Sequence, residues 1–236
     1  MSTFSGETNI KKLLMKFRVL LLILMIYSLQ SCGPKIIQDP IVFDQRRKEL
    51  TLDYMQSHYA MEQSEPTIIP RMVVVHWTVI PTYKKTFEVF DKTLLPSHRK
   101  AIAGASPLNV SAHYVIDRDG TIYQLMPDTL MARHVIGLNH CAIGIENIGG
   151  PKQPLTNAQL KANTKLIKKL KKKYPIDYLL GHYQYTLFES TDLWKEKDQG
   201  YRTKKSDPGE KFMQDLKSNL KALDFKPLPT INTKED

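Results

Sequence analysis

The run "RMVVVHWTVI", residues 71–80, constrains the fold more than any other stretch of the chain. Arg71 opens a series of apolar, β-branched residues of strand length, which reads as a buried strand. That run carries His76. A histidine in such a place is ordinarily a hydrogen-bonded core residue, and His76 keeps that reading unless other residues of matching chemistry can reach it.

The remaining segments supply partners for the strand. "SAHYVIDRDGTIYQLM" (111–126) is a predicted β-hairpin, with Asp119-Gly120 providing the positive φ of a tight turn. "CAIGIENIGG" (141–150) is a second buried strand ending in glycines, and "PIDYLLGHYQ" is a third, running into a loop at His182. Helices are predicted over "QRRKELTLDYMQSHYAM" (45–61), from about Thr156 with Thr156 or Asn157 as cap, and over "DPGEKFMQDLKSNLKAL" with Pro208 in the first turn. Strands and helices alternate without one strict period. The expected fold is therefore α/β (α+β): a single domain with a central mixed sheet flanked by helices.

Not all of the 236 residues are expected to fold. Residues 15–32, "MKFRVLLLILMIYSLQSC", have a basic start, an apolar run from Val19 to Leu29 and a small residue before Cys32. This is the layout of a signal peptide, and its apolar run is shorter than the roughly 20 residues a membrane-spanning helix needs. The ending "LQSC" resembles a bacterial lipobox, in which Cys32 would be lipidated, although Gln30 is not the usual small residue. Met15 is an alternative start. The expected divisions are a signal peptide at 1–32, a tether at 33–45, a folded domain at 46–225 and a tail at 226–236. With Cys32 modified, only Cys141 remains, so no intramolecular disulfide can form.

The net charge is +10, of which about +3 belongs to the leader. An exported basic protein is not expected to meet nucleic acid; anionic phospholipid heads or the cell wall are its natural partners. Much of the excess lies in "KLIKKLKKKYP", Lys165 to Pro175, whose lysines read as the solvated face of a helix.

His76, His182 and Asp207 lie at strand ends or in loops, and imidazoles with a carboxylate suit zinc. They are far apart in sequence and no HExxH is present, so spacing alone leaves a metal site and three unrelated residues both open. The motifs "VVVHWT", "SAHYVIDRDGTIYQL", "NHCAIGIENIGG", "LLGHYQ" and "KKSDPGEKF", however, resemble in order the zinc-dependent N-acetylmuramoyl-L-alanine amidases of the type 2 amidase family, related to T7 lysozyme and the peptidoglycan recognition proteins. The resemblance spans about residues 70–222 and is nearest to the lipid-anchored envelope amidases.

That resemblance implies one zinc ion on His76, His182 and Asp207, Glu146 as general base, and Lys205 stabilising the oxyanion. It implies peptidoglycan or muropeptides as substrate, including 1,6-anhydro forms. A monomer in the cell envelope is expected, anchored at Cys32; because "GPKIIQDP" after Cys32 lacks an acidic run, the expected place is the outer membrane, facing the periplasm. A non-catalytic peptidoglycan-binding module of the same fold is the alternative. His113, His134 and Asn139 match positions near the substrate groove, with structural support as the competing role for His113 and a loop brace for Asn139. Arg133 stands where the family usually has tryptophan, which puts the local shape around His134 in doubt. His58, His98 and His140 are expected at the surface. The 24 residues 183–206, longer than in many relatives, carry Phe188, Trp194 and Tyr201 and are expected either to wall the groove or to pack on themselves.

Overall fold

The computed structural model describes residues 34–230, apart from 98, 100, 101 and 103, together with Met15 and Lys16. Strand β2 (Met72–Trp77) lies inside a six-stranded sheet, between β5 (Ala142–Asn147) and β6 (Tyr178–Gly181), parallel to both. Met72, Val73, Val74 and Val75 are each 0% exposed, so both faces of the strand are covered. This burial explains the continuous apolar run. Met72 and Val74 join one core cluster, Val73 and Val75 the opposite one.

The hairpin forms as predicted. β3 (Tyr114–Ile116) and β4 (Ile122–Gln124) pair antiparallel across a turn in which Gly120 has φ 89°. A side chain there would meet the backbone oxygen of Ala158 at 2.9 Å, so glycine is required twice over. β3 pairs parallel with β5, and β1 (Ile36–Gln38) pairs parallel with β4, giving the order β1-β4-β3-β5-β2-β6. The sheet is mixed and flanked by helices, as expected.

Helices α3 (Asn157–Lys173) and α4 (Glu210–Asn219) cover the face of Val73 and Val75. Thr156 caps α3 in a capping box with Gln159, one of the two residues the sequence offered. Helix α1 (Gln45–Tyr59) covers the other face, and α2 (Tyr83–Phe90) packs into a third cluster with Ile41, Val115 and Leu125. The end of β2 is tied to α3: Asn147 donates to the His76 carbonyl, and Asn163 of α3 donates to Asn147.

Three expectations change. The expected tether, 33–45, is not free from Pro34 onward, because 36–38 form β1, Ile41 is buried and the Asp44 side chain caps α1. The compact unit starts at Pro34. Pro208 precedes α4, which opens at Glu210 after Gly209. The tail is partly engaged, since Leu228 packs on the first cluster and the Lys226 amide donates to the Asp177 carbonyl. Apart from Met15 and Lys16, the predicted signal peptide, with the lipobox and Cys32, lies outside the described residues.

Candidate active site and metal centre

Because β5, β2 and β6 are parallel neighbours, their C-terminal ends deliver side chains to one edge of the sheet, where open α/β sheets usually bind ligands. His76 ends the buried part of β2, and its register partner on β5 is Glu146. Register partners share a face, so the two side chains stand together on the side away from α3. β6 runs directly into a 3₁₀ turn beginning at His182. The loop that follows the turn returns with Lys205 and Asp207, and the Tyr183 amide bonds to the Asp207 carbonyl.

His76 Nδ1 is 2.9 Å from His182 Nδ1 and 3.1 Å from Asp207 Oδ2, and His182 Nδ1 is 3.0 Å from the same oxygen. No placement of protons gives all three edges of this triangle a hydrogen bond. If both nitrogens carry protons they repel each other, and if one does, one imidazole faces the carboxylate without a donor. Three lone pairs converging on a common centre account for the arrangement. Zinc bonds of about 2.0–2.1 Å place tetrahedral donors about 3.3 Å apart, close to these edges. The donor set therefore fits the zinc ion that the resemblance implies.

The tautomer of His76 follows from its outer neighbours. His134 Nε2 lies 3.2 Å from the Ala142 carbonyl, which can only accept, so that nitrogen carries the proton. His134 Nδ1 then accepts from His76 Nε2–H at 3.0 Å, leaving His76 Nδ1 as a free lone pair. Burial and the neighbouring imidazoles of His76 and His113 push the His134 pKa well below its ordinary value, keeping the ring neutral. The close approach requires Gly144 beneath His134, since a Cβ there would sit 2.7 Å from the ring. Burial likewise pushes His182 down to about 4. The buried Nε2 of His182 has no partner among the described residues. Asp207 is pushed up by burial, but the adjacent imidazoles of His182 and His76 outweigh this and hold it well below the usual carboxylate range.

Glu146 is the one carboxyl of the site poised near neutrality. Burial pushes it up to about 7; His76, Lys205 and Arg99 pull down while Asp207 pushes further up. Its Oε2 is buried with no hydrogen-bond partner among the described residues. Lys205 is itself lowered by burial, and Glu146 and Asp207 are among the charges that act on it. These groups line a cleft of about 410 Å³ together with Arg99. Arg99 escaped the sequence reading because it lies in an irregular segment without period or motif. Val79, at the cleft, has φ 57°, a strained conformation for a β-branched residue, and is 69% exposed.

Of the three residues expected near the groove, His134 and Asn139 line the cleft and also brace it, while His113 lies behind it. His113 is fully buried, accepts from the Gly144 amide through Nδ1 and donates to the Leu130 carbonyl through Nε2. Both of its nitrogens are spent on structure. His134 orients His76, as described. Asn139 braces its loop: its Oδ1 accepts from the amides of His134 and Val135, and its Nδ2 donates to the Tyr59 hydroxyl. His58 is also no surface residue; it is buried against Glu196 at 2.9 Å. His140 is half-buried against the Tyr59 ring, and His98 lies outside the described residues.

The long segment 183–206 does both things that its sequence allowed. Phe188 is buried in the core, and Trp194 packs beside Tyr185 and over Gly137. Tyr201, Thr203 and Lys205 line the cleft. The Tyr185 hydroxyl clamps the backbone of Thr203, donating to its carbonyl and accepting from its amide at 2.9 Å. Arg133 fills the expected tryptophan position, its guanidinium buried and bonded to the carbonyls of Ser106 and Ile102 and the Tyr201 hydroxyl.

Fold and site together define a class: a mixed-sheet domain with a His/His/Asp metal-type triangle beside a near-neutral carboxyl. The family model for N-acetylmuramoyl-L-alanine amidase (Amidase_2) matches residues 64–210, and the chain belongs to that family. An endolysin of Klebsiella phage KP32 is 32% identical over 82 residues, which cover 32% of this chain and 54% of that protein. The chain thus spans about half the length of the curated relative it matches. Among solved structures, a selenomethionine derivative of AmpD is 25% identical, covering 80% of this chain and 94% of that one, with a TM-score of 0.49. The amidase LysC from Clostridium intestinale URNW is 22% identical, covering 80% and 98%, with a TM-score of 0.47. Peptidoglycan recognition protein-LE, solved with tracheal cytotoxin, is 17% identical over 67% and 85%, with a TM-score of 0.46.

Proposed function

We propose that the protein is a zinc-dependent amidase that hydrolyses the bond between the lactyl group of N-acetylmuramic acid and L-alanine. Its substrate would be peptidoglycan or its muropeptide fragments, 1,6-anhydro forms included, and its role cell-wall turnover. The observation that carries this reading is Glu146, a buried carboxyl near neutrality placed in register with His76. Zinc held by His76, His182 and Asp207 would supply Lewis-acid polarisation of the scissile carbonyl and a water that ionises near neutral pH. Glu146 takes the proton from the attacking water as the new C–O bond forms. Lys205 sits opposite the negative charge that develops on the carbonyl oxygen. When the C–N bond breaks, Glu146 returns its proton to the amine of L-alanine, leaving a lactyl carboxylate and a free peptide. His134 keeps His76 Nδ1 unprotonated throughout.

A binding module of the same fold is the second reading, and the filled ligand and acid positions argue against it. The sequence of residues 15–32 supports export with lipid anchoring at Cys32, and an outer-membrane monomer facing the periplasm belongs to the same proposal. The test is mass spectrometry of muropeptides incubated with the protein as isolated, after chelation and with zinc restored. Free stem peptides that vanish on chelation and return with zinc are expected. Unchanged muropeptides with stoichiometric zinc would overturn the amidase reading in favour of binding.

A further inference from the structure

Helix α3 reads Asn-Ala-Gln-Leu-Lys-Ala-Asn-Thr-Lys-Leu-Ile-Lys-Lys-Leu-Lys-Lys-Lys and contains no acidic residue. Lys161, Lys165, Lys168, Lys169 and Lys172 are exposed, and at roughly 100° per residue they fall within one stripe opposite the buried Asn163, Ile167 and Leu170. At roughly 1.5 Å per residue the stripe is about 16 Å long. Among the described residues none of the five has a salt-bridge partner. Lys161 and Lys165, Lys165 and Lys169, and Lys168 and Lys172 are spaced i,i+4, so the stripe repels itself and weakens its own helix. An external polyanion would relieve that repulsion.

A second feature lies beside it. A hollow of about 290 Å³ has Leu179, Leu220 and Phe225 among its walls and Lys217, Lys221 and Lys226 around them. Lys171 of α3 lies over the Phe225 ring at 5.0 Å, which joins the hollow to the flank of the stripe. Lys226 pairs with Asp177, and Asp224 also lines the hollow. Lys217 and Lys221 have no acidic partner among the described residues. Cations around an apolar floor suit an amphiphile with an anionic head, whereas a soluble polyanion has nothing to offer the floor. Ile36, near the start of the compact unit, packs against the same cluster that α3 covers.

We infer that the α3 face is a docking surface for an anionic lipid bilayer, with lipid headgroups on the lysine stripe and the hollow taking the apolar edge of a lipid. The cleft then faces away from the membrane, toward a substrate held above it. The inference is independent of the amidase reading.

Acetylation footprinting of the full chain by mass spectrometry tests it, with vesicles of phosphatidylcholine or of phosphatidylglycerol. The basic leader also favours phosphatidylglycerol, so the stripe is judged from the labelling of its own lysines against that of lysines on another face. Labelling of the five stripe lysines should fall about threefold or more with phosphatidylglycerol alone and recover in high salt, because screening shortens the reach of the attraction. Lys84 and Lys85, exposed on α2, should label equally in both. Replacing the five by glutamine should lower the preference for phosphatidylglycerol vesicles in sedimentation severalfold while leaving cleavage of soluble muropeptides unchanged. Equal stripe labelling with both vesicles would overturn the inference. Protection by a soluble polyglycerol phosphate but not by vesicles would equally overturn it, reassigning the stripe to a wall polymer.

Discussion

The proton on His76 Nε2 is held by His134, whose own Nε2 is committed to the Ala142 carbonyl. Removing that acceptor frees the His76 ring to turn or to protonate Nδ1. His134→Ala should therefore weaken zinc binding by about 10–100-fold, measured by competition with a chromophoric chelator. Glu146 belongs at the same scale. Glu146→Gln keeps shape and removes the base, so zinc content and muropeptide binding should persist while turnover falls by about 10²–10⁴. Unchanged turnover would remove Glu146 from the mechanism. The histidine and carboxylate types were legible from the motifs. Which nitrogen does what was not, because a tautomer depends on carbonyls that reach the ring from elsewhere, here Ala142 for His134 and Leu130 for His113.

At the scale of elements, the segment 183–206 is held to α1 by a buried pair. His58 Nδ1 meets Glu196 at 2.9 Å and Nε2 meets the Ala105 carbonyl at 2.9 Å. Both partners accept, so both ring nitrogens donate and His58 is charged. Burial opposes this charge, but the hydrogen bonds to Glu196 and Ala105 outweigh it and raise the pKa above 6.5. A raised cationic pKa contributes stability that is fully present below the unfolded pKa and fades as pH rises through the folded one. Unfolding free energy should thus decline above about pH 6.5 in the native protein, and Glu196→Gln should flatten that decline. Leaving His58 without its carboxylate should cost about 3–5 kcal/mol at pH 6, read by denaturant unfolding. Nothing in the local pattern marks His58 as half of this pair, since Glu196 lies 138 residues away. The capped helix α3 and the hairpin were legible because their signals are local.

For the whole molecule, the boundary of the folded unit matters. A chain starting at Pro34 should melt with the native protein, whereas one starting at Arg46 loses β1, the Asp44 cap and the burial of Ile41. Burial of one such side chain is worth about 1.5–3 kcal/mol and a cap about 1 kcal/mol, so several degrees of melting temperature should separate the two chains. Equal melting would restore the tether. The strand escaped the sequence reading because three residues between prolines carry no period, and only the exposed edge of β4 makes a strand of them.

The sequence by itself determined the elements whose causes are local: the double-faced apolar strand β2, the Asp-Gly turn, the capping box of α3 and the lysine stripe. Through its ordered motifs it also singled out His76, Glu146, His182, Lys205 and Asp207, which line one cleft. What only the tertiary structure decided is how these meet. His76 and Glu146 share a face because β2 and β5 pair in one register out of many, and Asp207 reaches the two histidines because the 183–206 segment packs down on its aromatic residues. Pairing across such separations depends on three-dimensional packing, and packing is the part of the free energy that no local pattern records.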